Sequence, residues 1–284
     1  MGETAPGGDL PRGTRLADPL SIKSTTASGK MMHIFVINLD RSADRLASIS
    51  AHLHRLGLDF TRISAVDGSA LTTSQRSLEY SPVKNRQTYR RALSNGEIGC
   101  YLSHRACWQR IVDEHLDVAL ILEDDAVLHE RVHELLTTIE QLSSPWDLIK
   151  LCDPQKNKKA NSSRPLNQDY QLSEYKKLPS GAIGYAVSAR GAAKLVEARA
   201  TFGRPVDDDM QFYWEYQGRV FGVEPSPIWH SEATAGSDIE ASGRRQGSKT
   251  LWSALNTPIL RLAYEINILR HHRKRQRLDK ENEG

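Results

Sequence analysis

The fold is decided by residues 33–66, which read HIFVINLDRSADRLASISAHLHRLGLDFTRISAV. Residues 33–39 form a short, nearly continuous apolar run rich in β-branched side chains, which is typical of a buried parallel strand. Four apolar side chains then fall on one helical face: Leu46, Ile49, Leu53 and Leu56. Gly57 supplies a C-terminal stop, and residues 60–66 resume as a strand. This β-α-β order predicts a parallel sheet with right-handed crossovers.

The alternation of strands and helices continues along the chain. Ser94 and Glu97 form a Ser-x-x-Glu capping box before an apolar helix. Further strands are predicted at 118–122, 146–151, 181–187 and 220–223, and helices at 131–142 and 189–199, the latter capped by Ser188. We expect a mobile polar loop at 153–170, whereas residues 68–93 support no assignment. The pattern predicts an α/β domain.

Composition excludes a transmembrane helix and favours a folded protein. Of the 284 residues, 39% are hydrophobic and 26% are charged, and no uncharged apolar run approaches the roughly 20 residues that a spanning helix needs. Cys100, Cys107 and Cys152 show neither zinc-ligand spacing nor the even count of a disulfide framework, which favours a reducing, cytoplasmic compartment. We divide the chain into a disordered leader (1–30), a catalytic domain (31–235) and a linker with an amphipathic helix and basic tail (236–284).

Three acidic residues, Glu123, Asp124 and Asp125, follow directly after the predicted strand at 118–122. Ligands bind at the carboxyl ends of strands in open α/β sheets, so adjacent carboxylates there suit a divalent ion. Their hard oxygen atoms favour Mg²⁺ or Mn²⁺, which would in turn hold a diphosphate. The alternative is a solvated acidic turn after a core strand.

Two stretches carry a family resemblance. Residues 33–45 read HIFVINLDRSADR, and residues 93–108 read LSNGEIGCYLSHRACW. Together with the acidic triplet they resemble glycosyltransferase family 25, namely its opening strand-helix motif and its Gly-x-x-Gly-Cys-x-x-Ser-His helix, over residues 32–227. The resemblance implies a GT-A-like, Rossmann-related nucleotide-diphospho-sugar transferase domain with a mostly parallel central sheet. It also implies an inverting mechanism that uses UDP-galactose, often with Mn²⁺.

The same resemblance implies roles for the acids and for two histidines. The triplet is similar to the family's Asp-x-Asp motif, with Glu123 in first place, and Glu123 and Asp124 would contact the donor. Asp125, Glu123 and His230 would hold the metal, although His230 also fits a surface loop. His104 matches the family's Ser-His and would bind the donor, and the alternative is a buried histidine whose hydrogen bonds are satisfied.

Asn38, Arg41 and Arg45 lie where the first strand meets its helix, and we predict that they contact the donor. Guanidinium groups and helix N-termini both suit phosphate. The alternative for the two arginines is surface ion pairing with Asp40 and Asp44.

Inversion requires a base that accepts the proton of the acceptor hydroxyl. Asp207 and Asp209 are our predictions, because the Pro-Val-Asp segment is similar to the family's and begins a helix, whose positive end keeps a carboxylate ionised. Helix capping is the alternative role. We predict that Gly181 and Tyr185 line the acceptor side.

The C-terminal region combines an apolar stripe with a basic run. The stripe, interrupted by Pro258, consists of Leu251, Trp252, Leu255, Ile259, Leu262, Ile266 and Leu269. The basic run consists of Arg270, Arg273, Lys274, Arg275 and Arg277. This combination predicts that residues 251–278 bind an anionic membrane surface, at the inner face of the cytoplasmic membrane. The alternative is a helix packed on the catalytic domain with a solvated basic end, and no motif supports nucleic-acid binding.

The sequence therefore predicts an inverting transferase that moves galactose from UDP-galactose onto a lipopolysaccharide, lipooligosaccharide or capsular glycan acceptor, or onto a glycolipid. Two alternatives stay open, because fold alone does not determine activity. One is a catalytically silent glycan-binding module on the same fold. The other is a metal-dependent phosphohydrolase that uses the same acids.

Overall fold

A computed structural model of the chain describes residues 32–152, 160–231 and 251–282. The predicted leader at 1–30 lies outside the described residues, as do positions 236–250 of the predicted C-terminal region and positions 153–159 of the predicted mobile loop.

Strands and helices are interspersed along the described chain, as predicted for an α/β domain. The first nine elements are β1 (His33–Asn38), α1 (Ala43–Arg55), β2 (Thr61–Ser64), α2 (Thr73–Glu79), α3 (Pro82–Thr88), α4 (Asn95–Asp113), β3 (Val118–Glu123), β4 (Ala126–Leu128) and α5 (Val132–Glu140). They are followed by β5 (Leu148–Lys150), β6 (Ser162–Pro165), β7 (Gln171–Glu174), β8 (Gly184–Ser188), α6 (Ala189–Ala198), α7 (Val206–Asp209), a 3₁₀ helix (Tyr213–Tyr216), β9 (Val220–Glu224), β10 (Ile228–His230) and α8 (Leu251–Asn282).

Eight strands form one mixed sheet in the order β2-β1-β3-β8-β5-β9-β7-β6. β1 pairs in parallel with β2 and β3, and β5 pairs in parallel with β9. β8 and β7 run antiparallel to both of their neighbours, so the other six strands point the same way. The predicted α/β class with a mostly parallel central sheet is confirmed, and so is the parallel β1-α1-β2 unit.

The sheet separates two apolar cores, because successive side chains of a strand point to opposite faces. Phe35 and Ile121 contribute to the core beneath α4 and α6, whereas Ile34 and Leu120 contribute to the core beneath α1 and α5. All four side chains are at most 2% exposed. Burial on both faces is the reason that the central strands have continuous apolar runs.

Two segments differ from the sequence prediction. Residues 68–93 contain α2 and α3, whose first turns are capped by the side chains of Thr72 and Ser81. Positions 162–165 of the predicted mobile loop form β6, which pairs with β7 at the edge of the sheet. All four residues of β6 are exposed, so the strand has no apolar alternation by which its sequence would identify it.

The C-terminal helix α8 continues through Pro258, the residue that interrupts the apolar stripe of the sequence. Across residues 32–152, 160–231 and 251–282, none of the helices combines the length and the apolar character needed to cross a membrane.

Candidate functional site

A cavity of about 410 Å³ lies at the carboxyl ends of the parallel strands β1, β2 and β3. Four segments contribute most of its polar lining: Arg41 and Arg45 after β1, Asp67 and Ser69 after β2, Glu123, Asp124 and Asp125 at the end of β3, and Ser94 and Asn95 at the start of α4. The volume falls in the range of small-molecule sites, and open α/β sheets bind ligands at this edge. Because α4 begins here, the partial positive charge of its N-terminus faces the cavity.

Two glycines allow the loop after β2 to approach α4. A Cβ atom at Gly68 would lie 1.8 Å from the carbonyl oxygen of Asn95, and one at Gly99 would lie 2.3 Å from that of Val66. Ser103 links the same segments, because its Oγ accepts a hydrogen bond from the Val66 amide at 2.8 Å and donates one to the Gly99 carbonyl at 2.7 Å. The second glycine of the Gly-x-x-Gly motif is therefore required by close backbone packing at the cavity wall.

Asp124 is anchored to the end of β1. Asn38 Nδ2 donates a hydrogen bond to Asp124 Oδ2 at 2.7 Å, and Arg45 Nε lies 3.4 Å from the same oxygen. Burial raises the pKa of the Asp124 carboxyl above its ordinary value, although Asn38 and Arg45 act in the opposite direction. Asn38 is buried and also accepts a hydrogen bond from Arg62 Nε at 3.1 Å. Asn38 therefore fixes the position of Asp124 in the acidic turn.

Arg41 lines the cavity and forms an ion pair with Asp67, which joins the loops after β1 and β2. This pairing differs from the alternative considered from the sequence, because Asp40 is paired with Arg62 instead. Arg41 and Arg45 both border the cavity, and their contact with a donor stays a prediction.

A chain of hydrogen bonds runs from the protein interior to Glu123. His104 Nε2 lies 3.1 Å from Glu123 Oε1, and His104 Nδ1 lies 2.9 Å from the hydroxyl of Tyr185. Trp108 Nε1, which can only donate, lies 2.9 Å from the same hydroxyl. The Tyr185 oxygen therefore accepts from Trp108, and its own proton satisfies His104 Nδ1 when the neutral imidazole carries its hydrogen on Nε2, beside the Glu123 carboxylate. The Nε2–H group of His104 is then available to donate to Glu123.

These contacts correct the predicted role of Tyr185. Its side chain is fully buried and is absent from the cavity lining, and its hydroxyl contacts His104 and Trp108, so it supports Glu123 through His104 rather than facing an acceptor. His104 fits the alternative of a buried, satisfied histidine, yet it also borders the cavity. Gly181 accepts a hydrogen bond from Lys150 Nζ and does not line the cavity, so its acceptor role stays a prediction.

Asp125 and His230 are brought together by a small second sheet. β10 pairs antiparallel with β4, with His230 opposite Ala126. His230 Nδ1 lies 3.2 Å from Asp125 Oδ2, and Asp125 Oδ1 is buried without a hydrogen-bond partner among the described residues. An unsatisfied buried carboxylate oxygen is unfavourable, and a bound cation would satisfy it. The residues present therefore fit the predicted cation at Asp125.

A second set of side chains near Glu123 was not predicted as a unit. Ligand atoms of Cys100, His104 and Glu123 all lie within 4.8 Å of one another, and Cys100 Sγ is 3.9 Å from Glu123 Oε1. Thiolate and imidazole favour softer ions than Mn²⁺ or Mg²⁺, which prefer oxygen ligands. The available sequence signal for Cys100 was its i, i+4 spacing to His104 on α4, which places both on one helical face.

Asp209 is held in a buried ion-pair network. Arg199 and Arg204 lie 2.8 Å and 2.7 Å from its two carboxylate oxygens, and the Tyr101 hydroxyl donates to it at 2.6 Å. Burial alone would raise the pKa of Asp209, but the two guanidinium groups outweigh it and hold the pKa below its ordinary value. Asp209 is 4% exposed and both of its carboxylate oxygens are ion-paired, so it fits a structural role, and we correct the prediction that it is the base.

The neighbouring aspartates have different environments. Asp207 is half-buried and, like Asp209, is absent from the cavity lining. Asp208, which sequence reasoning missed, accepts a hydrogen bond from the Tyr89 hydroxyl at 3.0 Å. Burial and the nearby Asp207 charge raise the pKa of Asp208, which would make it a stronger proton acceptor. Because Asp207, Asp208 and Asp209 are identical neighbours, the sequence alone does not show which of them is ion-paired and which is available to accept a proton.

Comparisons with known proteins agree with the sequence motifs. The family described as "Glycosyltransferase family 25 (LPS biosynthesis protein)" matches residues 31–210. Procollagen galactosyltransferase 2 of Homo sapiens is 30% identical over 241 residues, which cover 74% of this chain and 37% of the human protein. A glycosyltransferase 25 family member of Anopheles gambiae is 28% identical over 259 residues, covering 81% of this chain and 41% of the mosquito protein. The chain thus spans about two fifths of the length of these relatives.

Among solved structures, a mutant of the Drosophila β-1,4-galactosyltransferase 7, in complex with manganese, UDP-Gal and xylobiose, is similar with a TM-score of 0.37. It is 10% identical in sequence, and the match covers 71% of each chain. A likeness of this size carries no inference about the donor or metal of the present chain.

Proposed function

This chain belongs to glycosyltransferase family 25, and from that membership we propose that it transfers galactose from UDP-galactose onto a glycan acceptor. The observation that carries the proposal is the cavity at the carboxyl ends of β1, β2 and β3, with Glu123, Asp124 and Asp125 on its wall. Every residue that lines this cavity falls within the 31–210 segment that matches the family. Relatives named as galactosyltransferases support the choice of sugar.

The charges around the cavity support a nucleotide diphosphate as ligand. Arg41 and Arg45 border the cavity beside the N-terminus of α4, and both kinds of group bind phosphate oxygens. Arg45 also lies near Asp124, so one guanidinium would face both the donor and the acidic turn. We propose that Asn38 and His104 act on the donor indirectly, by orienting Asp124 and Glu123.

We propose that Asp125, Glu123 and His230 hold a divalent cation, Mn²⁺ or Mg²⁺. The buried Asp125 Oδ1 atom, unpartnered among the described residues, and the position of His230 next to Asp125 support this set. Such an ion would supply Lewis-acid stabilisation of the charge that develops on the departing diphosphate. Asp124 would remain with Asn38 and Arg45 and keep the turn in place.

For the base we propose Asp207, which was predicted from the sequence, together with its neighbour Asp208. The raised pKa of Asp208 and the half-buried position of both residues support a role in accepting a proton. Asp207→Asn and Asp208→Asn, compared in single-turnover assays, would separate the two, because only the base should be required for the chemical step.

The acceptor is proposed from the family description and from the relatives' names. The words "LPS biosynthesis protein" support a lipopolysaccharide, lipooligosaccharide or capsular glycan, or a glycolipid that carries one. The relatives' name "procollagen galactosyltransferase" supports a collagen acceptor as the second arm of an acceptor screen. The cytoplasmic location predicted from the cysteines stays a prediction.

The direct test is release of UDP from UDP-galactose by the full chain with Mn²⁺, followed by mass analysis of the product. A galactosylated acceptor is expected. Free galactose phosphate or inorganic phosphate would indicate the phosphohydrolase alternative. Glycan binding without turnover would indicate the silent binding module. The proposal would be overturned if the chain neither released UDP nor bound UDP in calorimetry. A screen of other UDP-sugars with the same assay tests the donor.

A further inference from the structure

Helix α8 is docked on the rest of the chain through one face. The residues of this face recur at i, i+4, i+7 and i+11: Tyr264, Ile268, His271 and Arg275. Ile268 is fully buried, and His271 Nε2 lies 3.2 Å from the Gly218 carbonyl oxygen. The Tyr264 ring lies edge-on to Trp214 with their centroids 4.8 Å apart. Arg275 pairs with Glu174 at 3.2 Å. The orientation of α8 about its own axis is therefore set by these contacts.

The opposite face of α8 carries an apolar stripe. Leu262, Ile266 and Leu269, here called the outer stripe, are 62%, 40% and 45% exposed. At about 100° per residue they lie roughly opposite the docked face. Exposed arginines continue along the same side of the helix or next to it: Arg270, Arg273 and Arg277. Docking thus directs both the aliphatic side chains and the arginines away from the protein body.

We propose that the outer stripe and these arginines dock the protein on the surface of an anionic lipid bilayer. A helix with an aliphatic stripe and adjacent cations lies in the bilayer interface, where the aliphatic groups enter the headgroup boundary and the guanidinium groups bind lipid phosphates. The sequence predicted a membrane-binding segment, and the structure adds a further observation: none of the described residues covers this face of α8. The inference does not rest on the proposed transferase activity.

The size and chemistry of the face favour a bilayer over other partners. Three aliphatic side chains are far fewer than the roughly 20–30 residues per side of a stable protein interface. A nucleic acid would pair with the arginines but would leave the outer stripe in water, since backbone recognition uses charged and polar contacts. A lipid surface accepts both chemistries at once, even where the contact is small.

The test is co-sedimentation of the full chain with vesicles of phosphatidylcholine alone or of phosphatidylcholine mixed with phosphatidylglycerol. We expect binding to the mixed vesicles, weakened by salt, and little binding to the neutral ones. The triple variant Leu262→Ser, Ile266→Ser, Leu269→Ser should lose binding. Changing the three arginines to Gln should weaken it by about fivefold for each arginine, which corresponds to about 1 kcal/mol each.

Matched controls use exposed residues outside α8. Leu78 and Val83, on α2 and α3, are 75% and 55% exposed, and the double change to Ser should leave vesicle binding intact. The triple change Arg55→Gln, Arg86→Gln, Arg90→Gln removes the same charge as the arginine variant of α8, and it should weaken vesicle binding far less. Circular dichroism confirms the fold of each variant, and UDP release without vesicles should not change in the α8 variants.

Three outcomes would overturn the proposal: no sedimentation with mixed vesicles, equal binding of the outer-stripe variant and the parent chain, or equal losses in the control variants. If DNA at matched salt displaced the protein from the vesicles, the arginines would be assigned to nucleic-acid binding instead. Since vesicle binding and UDP release are measured separately, failure of docking is distinguishable from failure of the transferase proposal.

Discussion

The hydroxyl of Tyr185 lies 2.9 Å from Nδ1 of His104, inside the protein, and this contact reaches the cavity through Glu123. β8 runs antiparallel to β3 with Tyr185 opposite Ile121, so the tyrosine lies on the strand next to the one that ends in the acids. A residue without access to solvent thereby influences the orientation of a carboxylate at the cavity wall. Such supporting contacts affect a binding or metal site nearly as much as the ligands themselves.

Tyr185→Phe keeps the ring and removes the hydroxyl, which leaves His104 Nδ1 and Trp108 Nε1 without their shared partner. We expect kcat/KM with UDP-galactose to fall by about 10- to 100-fold, as for other supporting residues of metal sites. The ¹⁵N NMR shifts of the His104 ring should also change, because its tautomer is no longer fixed. The control is Tyr216→Phe, a buried tyrosine whose hydroxyl has no hydrogen-bond partner among the described residues. Unchanged His104 shifts in Tyr185→Phe would contradict the hydrogen-bond chain.

Asp125→Asn should remove the proposed cation, since the neutral amide is a weaker ligand than a carboxylate for a hard ion. We expect Mn²⁺ binding, measured by electron paramagnetic resonance, to weaken strongly and UDP release to fall by about a thousandfold or more. Chelation with EDTA should likewise stop turnover of the parent chain, and added Mn²⁺ should restore it. Asp113→Asn, in the last turn of α4, serves as the control. Mn²⁺ affinity equal to that of the parent chain would place the ion elsewhere.

Asp209→Asn should destabilise the fold by about 3–5 kcal/mol, because it leaves Arg199 and Arg204 buried without their carboxylate. The pKa of Asp209 in the folded state lies below its ordinary value of 3.8. Its contribution to stability is therefore complete above pH 3.8 and is lost as the pH falls below 3.8 through the folded-state pKa.

Urea unfolding of the parent chain and of Asp209→Asn at neutral pH and near pH 3 checks both parts of this prediction. The free energy of unfolding of the variant should depend less on pH in the acid range. The exposed Asp113→Asn variant should stay within about 0.5 kcal/mol of the parent chain. Equal stability of Asp209→Asn and the parent chain at neutral pH would show that the ion pairs do not stabilise the fold.

Gly99→Ala should force α4 away from the loop after β2, because the new Cβ atom would meet the Val66 carbonyl oxygen. We expect a loss of about 1–3 kcal/mol in the free energy of unfolding and weaker UDP binding by calorimetry. Gly191→Ala is the matched control, since its Cβ would meet the Asp147 carbonyl oxygen at 2.0 Å on α6, away from the cavity lining. It should lower stability while leaving UDP affinity intact. Loss of UDP affinity in both variants would indicate a general effect of destabilisation.

Local features of the fold could be predicted from the sequence, because they depend on neighbours along the chain. The apolar runs of β1 and β3, the helical face of Ile49 and Leu53, and the capping box of Ser94 and Glu97 are short-range patterns, and the structure contains each of them. Because parallel strands end at one edge of the sheet, the sequence also predicted that the acids lie at the ligand-binding edge, which is where the structure has the cavity.

The roles of individual side chains depended on contacts between distant parts of the chain. Whether Asp209 or Asp208 is ion-paired was decided by the arginines and the tyrosine packed around them. The burial of Tyr185, which we had predicted to line the acceptor side, could not be predicted from the sequence, because it depends on α4, which covers that face of the sheet.

The sequence by itself determined which segments become strands and helices, and that carboxylates follow a central strand. Only the tertiary structure decided which side chains meet. His230 reaches Asp125 across 105 positions of the chain because β10 pairs with β4, and Arg270, Arg273 and Arg277 of α8 are exposed because Ile268 is buried on the opposite side. Periodicity encodes the faces of each element, whereas the partner of each face depends on how the elements pack together.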